Sequence, residues 1–82
     1  MGKKVTNEQQ ITNWRAIAEG GRIIIAKPPG TPRTLRENRL AYRFSLSRRM
    51  AYQNRQHVNQ YGNMLTEEEY LALAEEKVRE LQ

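Results

Sequence analysis

A threonine followed three residues later by glutamine or glutamate occurs at three places in this sequence, and this pattern constrains where helices can begin. The three pairs are Thr6 with Gln9, Thr34 with Glu37, and Thr66 with Glu69. In such a capping box the two side chains bond to each other's backbone amides, which satisfies donors that a helix start otherwise leaves unpaired. The sequence therefore predicts helix starts at these places and a mainly α fold.

The first predicted helix spans residues 7–19. Gly20 and Gly21 are predicted to end it, because glycine readily adopts the left-handed conformation of a helix C-cap. Residues 22–27 contain three consecutive isoleucines and predict a short buried strand, since β-branched side chains suit a pleated surface. An α+β fold with a small sheet is therefore the alternative. Three partners are open for such a strand: residues 3–6, residues 42–46 or another subunit.

The middle of the chain is predicted to be a Pro-rich connector followed by a helix. Residues 28–32, Pro-Pro-Gly-Thr-Pro, form a stiff connector because prolines block ladder and helix hydrogen bonds. Residues 33–61 contain no glycine or proline, which favours a helix. Residues 42–46 alternate between apolar and polar, as a strand would. Residues 34–60 could thus form one helix, a broken helix or a helix interrupted by a strand, and we favour the helix.

The last helix is predicted from Thr66 to the end of the chain, as the second half of a C-terminal helical hairpin. Its apolar residues keep helical spacing: Tyr70, Leu73, Ala74, Val78 and Leu81. Residues 63–70, Asn-Met-Leu-Thr-Glu-Glu-Glu-Tyr, resemble the turn and second-helix start of the SHOCT-type motif, with Asn63 where that family has glycine. This resemblance covers residues 50–82 and implies a helical hairpin used for protein interaction or oligomerisation.

Length and composition limit what such a chain can do. A chain of 82 residues supports one small domain with a thin core, so we expect one domain over residues 1–82, of which residues 1–5 could be flexible. The absence of cysteine excludes disulfides and thiolate metal sites. No apolar run approaches the roughly 20 residues of a membrane helix, and we expect a cytoplasmic protein. The positions predicted to form the core are Trp14, Ile17, Phe44, Tyr70 and Leu73.

Residues 23–35 resemble the Walker A segment of AAA+ ATPases, in which an apolar strand leads into Gly-Pro-Pro-Gly-Thr-Gly-Lys-Thr. Lys27, Pro32 and Arg33 depart from that pattern at three key positions. A phosphate-binding loop uses consecutive backbone amides and a lysine. Since Pro32 has no amide, the segment predicts a structured proline turn without nucleotide binding.

The sequence contains no convincing catalytic or metal-binding set, so we expect a non-enzyme without a cofactor or a small-molecule substrate. His57 is the single histidine, and it is interpreted as an ordinary polar side chain. The glutamates at residues 67–69 are interpreted as a solvated face that complements the positive end of a helix.

Arginine is concentrated in the middle of the chain. Residues 31–62 hold seven arginines and one glutamate, whereas residues 63–82 hold two basic and six acidic residues. Guanidinium groups neutralise phosphates, and interleaved aromatic rings can stack on unpaired bases. Gln53, Asn54 and Gln56 could bond to base edges. The candidate binding residues are Arg33, Arg36, Arg39, Arg43, Arg48, Arg49, Arg55, Tyr42 and Tyr52.

Three interpretations of these arginines stay open: contact with nucleic acid, contact with an acidic protein surface, or internal pairing with the acidic C-terminal helix. We therefore predict a small basic regulatory binding protein that acts on nucleic-acid machinery, and such a composition also fits a phage or mobile-element regulator of a host complex. The alternative is a protein–protein adaptor or oligomerisation module without nucleic-acid contact. We expect the partner to be nucleic acid or an acidic protein surface of nucleic-acid machinery, and not a membrane, and an oligomer stays open.

Overall fold

The computed structural model describes residues 6–82, and its regular secondary structure is helical. Three helices follow one another: α1 (Asn7–Ala26), α2 (Leu35–Gln53) and α3 (Glu67–Leu81). Each begins directly after one of the three threonines, and each capping box is formed in both directions. The prediction of a mainly α fold is confirmed. Within the described residues there is no sheet, only an isolated antiparallel bridge between Val58 and Met64.

The two central glycines of α1 do not end it, contrary to the prediction, because α1 continues to Ala26. Both glycines lie where α1 meets α2. A Cβ atom on Gly20 would lie 2.1 Å from the carbonyl oxygen of Leu40, and one on Gly21 would lie 2.6 Å from the ring of Phe44. The missing side chains therefore allow close approach of two helices, and this proximity is invisible to a local sequence pattern.

The strand predicted for residues 22–27 is wrong, because residues 22–26 form the last part of α1. Helical hydrogen bonds satisfy the backbone of this segment, and Ile24 is buried in the core. Tertiary packing thus overrides the β propensity of the isoleucines. Of the possible strand partners, residues 42–46 lie inside α2. The expectations for residues 1–5 lie outside the described residues.

The connection between α1 and α2 contains a tight turn. The Thr31 amide donates to the Pro28 carbonyl oxygen at 3.0 Å, and Gly30 has a φ of 95°. Pro29 and Gly30 thus occupy the positions where a type II turn favours proline and glycine. Because the segment before this turn is helical, the strand that precedes a Walker A loop is not formed.

α2 is one unbroken helix, so neither a break nor a strand at residues 42–46 is formed, although α2 ends earlier than predicted. Just beyond its end, the Arg55 amide donates to the Tyr52 carbonyl oxygen at 3.0 Å, and the Gln56 amide donates to that of Ala51 at 2.8 Å. These two bonds form a Schellman motif. Arg55 takes the left-handed position of this motif, with a φ of 56°, where glycine is usual.

Replacing Arg55 with glycine should raise the free energy of unfolding by about 0.5–1 kcal/mol. Left-handed backbone costs a non-glycine residue about 1–2 kcal/mol, partly offset by the larger entropy that glycine loses on folding. The Arg55 side chain forms no hydrogen bond within residues 6–82, so its removal breaks no bond there. Thermal melts of both proteins at equal salt measure the difference, and a lower melting temperature for Arg55→Gly would contradict the expectation.

α1 is the central helix, and α2 and α3 each pack mainly against it rather than against each other. The predicted C-terminal hairpin is therefore wrong as a packing unit. Of the predicted core residues, Ile17, Phe44 and Tyr70 are buried, whereas Trp14 and Leu73 are half-buried against the core. The buried core residues are Ile17, Ala18, Ile24, Ala41, Phe44, Ala51, Tyr70 and Ala74.

Candidate nucleic-acid interface

Two arginines of the predicted series have structural roles. The guanidinium of Arg33 donates two hydrogen bonds to the carbonyl oxygen of Lys27, the one from Nε being 2.8 Å long. Arg48 donates from Nε to the carbonyl oxygen of Leu65 at 2.7 Å. Both side chains tie an inter-helix connection to the helices. They are the two members of the series least available to a ligand.

Arg36 and Arg43 lie on α2 and reach across to α1. Arg36 forms an ion pair with Glu19 at 3.0 Å, and Arg43 donates to Asn13 Oδ1 at 2.9 Å. Both arginines are exposed, so these interactions contribute little stability. A guanidinium has five N–H donors, and each of these side chains can therefore hold a ligand anion as well.

Arg39, Arg49 and Arg55 are exposed, and within residues 6–82 none of them forms a hydrogen bond or an ion pair. With Arg36 and Arg43 they leave five exposed guanidinium groups at the surface. Helical geometry of about 100° per residue places Arg36, Arg39 and Arg43 within about 60° of one another around α2. Arg49 projects further round the helix, and Arg55 lies beyond its end.

The basic and acidic charges lie on different helices. α2 carries five arginines and one glutamate, a net charge of +4, and α3 carries six glutamates and two basic residues, a net charge of −4. Among the described residues no arginine of α2 forms an ion pair with α3, and the one ion pair between α3 and another helix joins Glu75 to Arg22 of α1. Internal pairing of the arginine series with α3 is therefore wrong.

The two predicted tyrosines are exposed but lie apart. Tyr42 is 63% exposed and lines a shallow depression with Arg49. Tyr52 is 44% exposed and lines another depression with Arg55. The predicted residues thus do not form one patch. The largest coherent group among them is that of Arg36, Arg39 and Arg43.

A surface cavity of about 380 Å³, open to solvent like the two depressions, lies between the first half of α1, the second half of α2 and the segment after α2. Trp14 and His57 meet there edge to face, with ring centroids 6.0 Å apart. Tyr70 also packs against Trp14, and its hydroxyl lies 2.6 Å from the Ser47 hydroxyl. Asn54 and Gln56 line the same cavity, whereas Gln53 faces elsewhere.

Sequence reasoning missed this cavity as a site. It placed Trp14 in the core and interpreted His57 as an ordinary polar side chain. The two rings come together because His57 adopts a left-handed backbone with a φ of 50°, which local sequence did not indicate. The available signal was the group of three amide side chains Gln53, Asn54 and Gln56, which were predicted to bond to base edges and of which the last two line the cavity.

His57 should make the protein less stable in mild acid. Burial, together with the positive charge of Lys77, holds the pKa of His57 below its ordinary value of 6.5. As the pH falls, His57 is therefore protonated in the unfolded chain before it is protonated in the folded protein. The contribution of His57 to the free energy of unfolding is fully present above pH 6.5 and is lost as the pH drops below that value. Thermal melts at pH 7.5 and pH 5.5 measure the loss. His57→Asn is the control, since asparagine tolerates left-handed backbone without titrating, and an equal loss in this variant would assign the effect to other groups.

Among residues 6–82 there is no cluster of histidine and carboxylate side chains that could hold a metal ion. None of the helices described is long and apolar enough to cross a membrane. Comparison of the chain with protein families, with curated proteins and with solved structures found no match.

Proposed function

We propose that this chain is a small, basic, non-enzymatic regulatory protein of the cytoplasm that acts on nucleic-acid machinery by binding the nucleic acid itself. The observation that carries the proposal is the group formed by Arg36, Arg39 and Arg43 on one side of α2. No glutamate of α3 pairs with any of the three in the described residues. All three side chains are exposed.

The geometry of this group suits a run of phosphates. Seven residues separate Arg36 from Arg43, which is about 10 Å along a helix. One strand of duplex DNA presents a phosphate every 3.4 Å or so along its axis, so the group spans about three of them. The one glutamate of α2, Glu37, is held by Lys27 at 2.7 Å, and that hydrogen bond lowers the Glu37 pKa. The one negative charge of α2 is thus compensated by Lys27, and the carboxylate that contacts the group, that of Glu19, is paired with Arg36 at 3.0 Å.

The test is fluorescence anisotropy with labelled random 20-mers, single- and double-stranded, at two salt concentrations. Binding to about five phosphates predicts a slope of log affinity against log salt of roughly −4 to −5 on duplex DNA. Because phosphate contacts carry no base information, scrambling the sequence should leave the affinity unchanged. The absence of binding to both probes at low salt would refute the proposal.

A second function, protein–protein adaptor or oligomerisation module, is favoured by one observation. Several large apolar side chains lie on the outward side of α2: Leu35 (67% exposed), Tyr42 (63%), Met50 (46%) and Leu46 (40%). Leu35→Gln with Leu46→Gln separates the two functions. This double change should leave phosphate binding intact, whereas an adaptor should lose its partner or its oligomeric state, as measured by light scattering after size exclusion.

A further inference from the structure

The cavity beside Trp14 and His57 is lined by aromatic side chains on which a flat ring can stack. We infer that it takes one unpaired base of a single-stranded nucleic acid while the arginines of α2 hold the neighbouring phosphates. The inference rests on the proposed function, because it specifies the form of nucleic acid that the same side of the molecule binds.

The aromatic walls provide stacking surface. The Trp14 and His57 rings stand at 83° to each other, and Tyr70 closes the cavity next to Trp14 with its centroid 6.3 Å away. The volume of about 380 Å³ lies within the range of small-ligand sites. Every base has a π face, so stacking on such side chains accepts any sequence.

Amide side chains at the rim can read the edge of a base. Asn54 and Gln56 line the cavity and are exposed. Within residues 6–82 neither side chain forms a hydrogen bond. Each amide offers donors and an acceptor side by side, which matches the paired groups on a base edge.

The arginine group leads directly to this cavity. Arg43 bonds to Asn13 at 2.9 Å, and Asn13 lines the cavity. Arg36 and Arg39 continue the same side of α2 away from it. A strand whose phosphates follow these arginines therefore brings a base to the rim beside Asn13. A paired base would first have to leave its stack and its partner, so a single strand binds better than a duplex.

The backbone at the rim is held in an unfavourable conformation. His57 has a positive φ of 50°, although it is not glycine. Such conformations cluster at binding and catalytic sites, where surrounding structure maintains them. Here the left-handed turn brings the His57 ring against Trp14 and so completes the second wall.

Trp14 is the single tryptophan of the chain, which makes its fluorescence a direct reporter of the cavity. The protein is titrated with a single-stranded oligothymidylate 20-mer, a 20-mer duplex, a 20-mer abasic strand and thymidine monophosphate. We expect the single strand to quench Trp14 and to bind about 10-fold more tightly than the duplex or the abasic strand, since one stacked base contributes about that factor. The mononucleotide should quench only at far higher concentration.

Variants locate the effect. Asn54→Ala with Gln56→Ala, and separately His57→Asn, should each remove most of the single-strand advantage and leave duplex binding unchanged. Gln53→Ala is the matched control, because Gln53 lies beside these residues but outside the cavity. It should change neither affinity. Near- and far-ultraviolet circular dichroism of each variant checks that the fold is kept.

The outcomes separate the two proposals. Equal binding of single strand, duplex and abasic strand without quenching would overturn the base cavity and leave phosphate binding standing. If the mononucleotide quenched Trp14 at the same concentrations as the strand, the cavity would be a site for free nucleotides, and the inference that it takes a base of a single strand would be overturned. No binding of any strand at low salt would refute both.

Discussion

Replacing Gly20 with alanine should lower the free energy of unfolding by about 2 kcal/mol, although alanine is the better helix former. Alanine gains about 1 kcal/mol of helix propensity over glycine. Against this, its Cβ would lie 2.1 Å from the Leu40 carbonyl oxygen and 3.0 Å from the Phe44 Cβ. Overpacking costs about 1–3 kcal/mol and occasionally more. The cost is at the upper end here, because the clashing atom belongs to the backbone and cannot move aside as a side chain can. In a domain of this size the net loss lowers the melting temperature by roughly 10 °C.

Two further substitutions calibrate this expectation. Gly21→Ala meets mainly the Phe44 ring, at 2.6 Å, and a Leu71 methyl group, at 3.1 Å. Side chains can shift more than backbone, so its loss should be smaller than that of Gly20→Ala. Ala72→Gly, on the exposed side of α3, measures the difference in helix propensity between alanine and glycine without a change in packing, and it should lower the free energy of unfolding by about 1 kcal/mol. If Gly20→Ala stabilised the protein, α1 and α2 would not approach each other closely at Gly20.

The starts of the helices were predictable because their causes are local. A capping box needs only residues three apart, and Thr6, Thr34 and Thr66 each form one. The ends were not predictable by the same means. Gly20 looks like a terminator in sequence, but its role is set by Leu40, twenty residues further along the chain. The end of α2 uses Arg55 in a position where sequence rules expect glycine.

The candidate site was predictable in composition but not in geometry. Arginine content alone identified a basic segment, and charge asymmetry separated it from the acidic residues of α3. Sequence could not tell that Arg33 and Arg48 bind backbone carbonyl groups, because those partners depend on how the connecting segments fold. The same holds for the cavity, whose walls Trp14 and His57 are distant in the chain.

Packing around α1 explains why the basic side of α2 is available to a partner. α1 has two basic and two acidic residues and is the helix against which both others pack. Glu67, at the start of α3, lines a depression together with Arg49, but no glutamate of α3 forms an ion pair with an arginine of α2 among the described residues. The group of Arg36, Arg39 and Arg43 therefore stays exposed, where a polyanion can contact it.

Changing Arg36, Arg39 and Arg43 together to glutamine should weaken binding of duplex DNA about 100-fold near 0.1 M salt. Each phosphate that is no longer neutralised removes about 0.9 from the slope of log affinity against log salt, so the triple change flattens it by up to about 3. The fold should survive, because the bonds of Arg36 to Glu19 and of Arg43 to Asn13 are exposed and contribute about 0–1 kcal/mol each. Anisotropy titrations over a salt series, with thermal melts of the same samples, measure both quantities.

The matched control removes the same charge from another side of the molecule. Arg15, Arg22 and Arg79 line a surface between α1 and α3, and their replacement by glutamine lowers the net charge equally. If phosphates sit on the α2 group, the control should keep nearly the full salt slope and lose only the weak, screened attraction of distant charges. Equal losses of affinity in the two triple variants would mean that net charge, and not the arrangement on α2, governs binding. A large loss of melting temperature in the α2 variant would assign its arginines to stability instead.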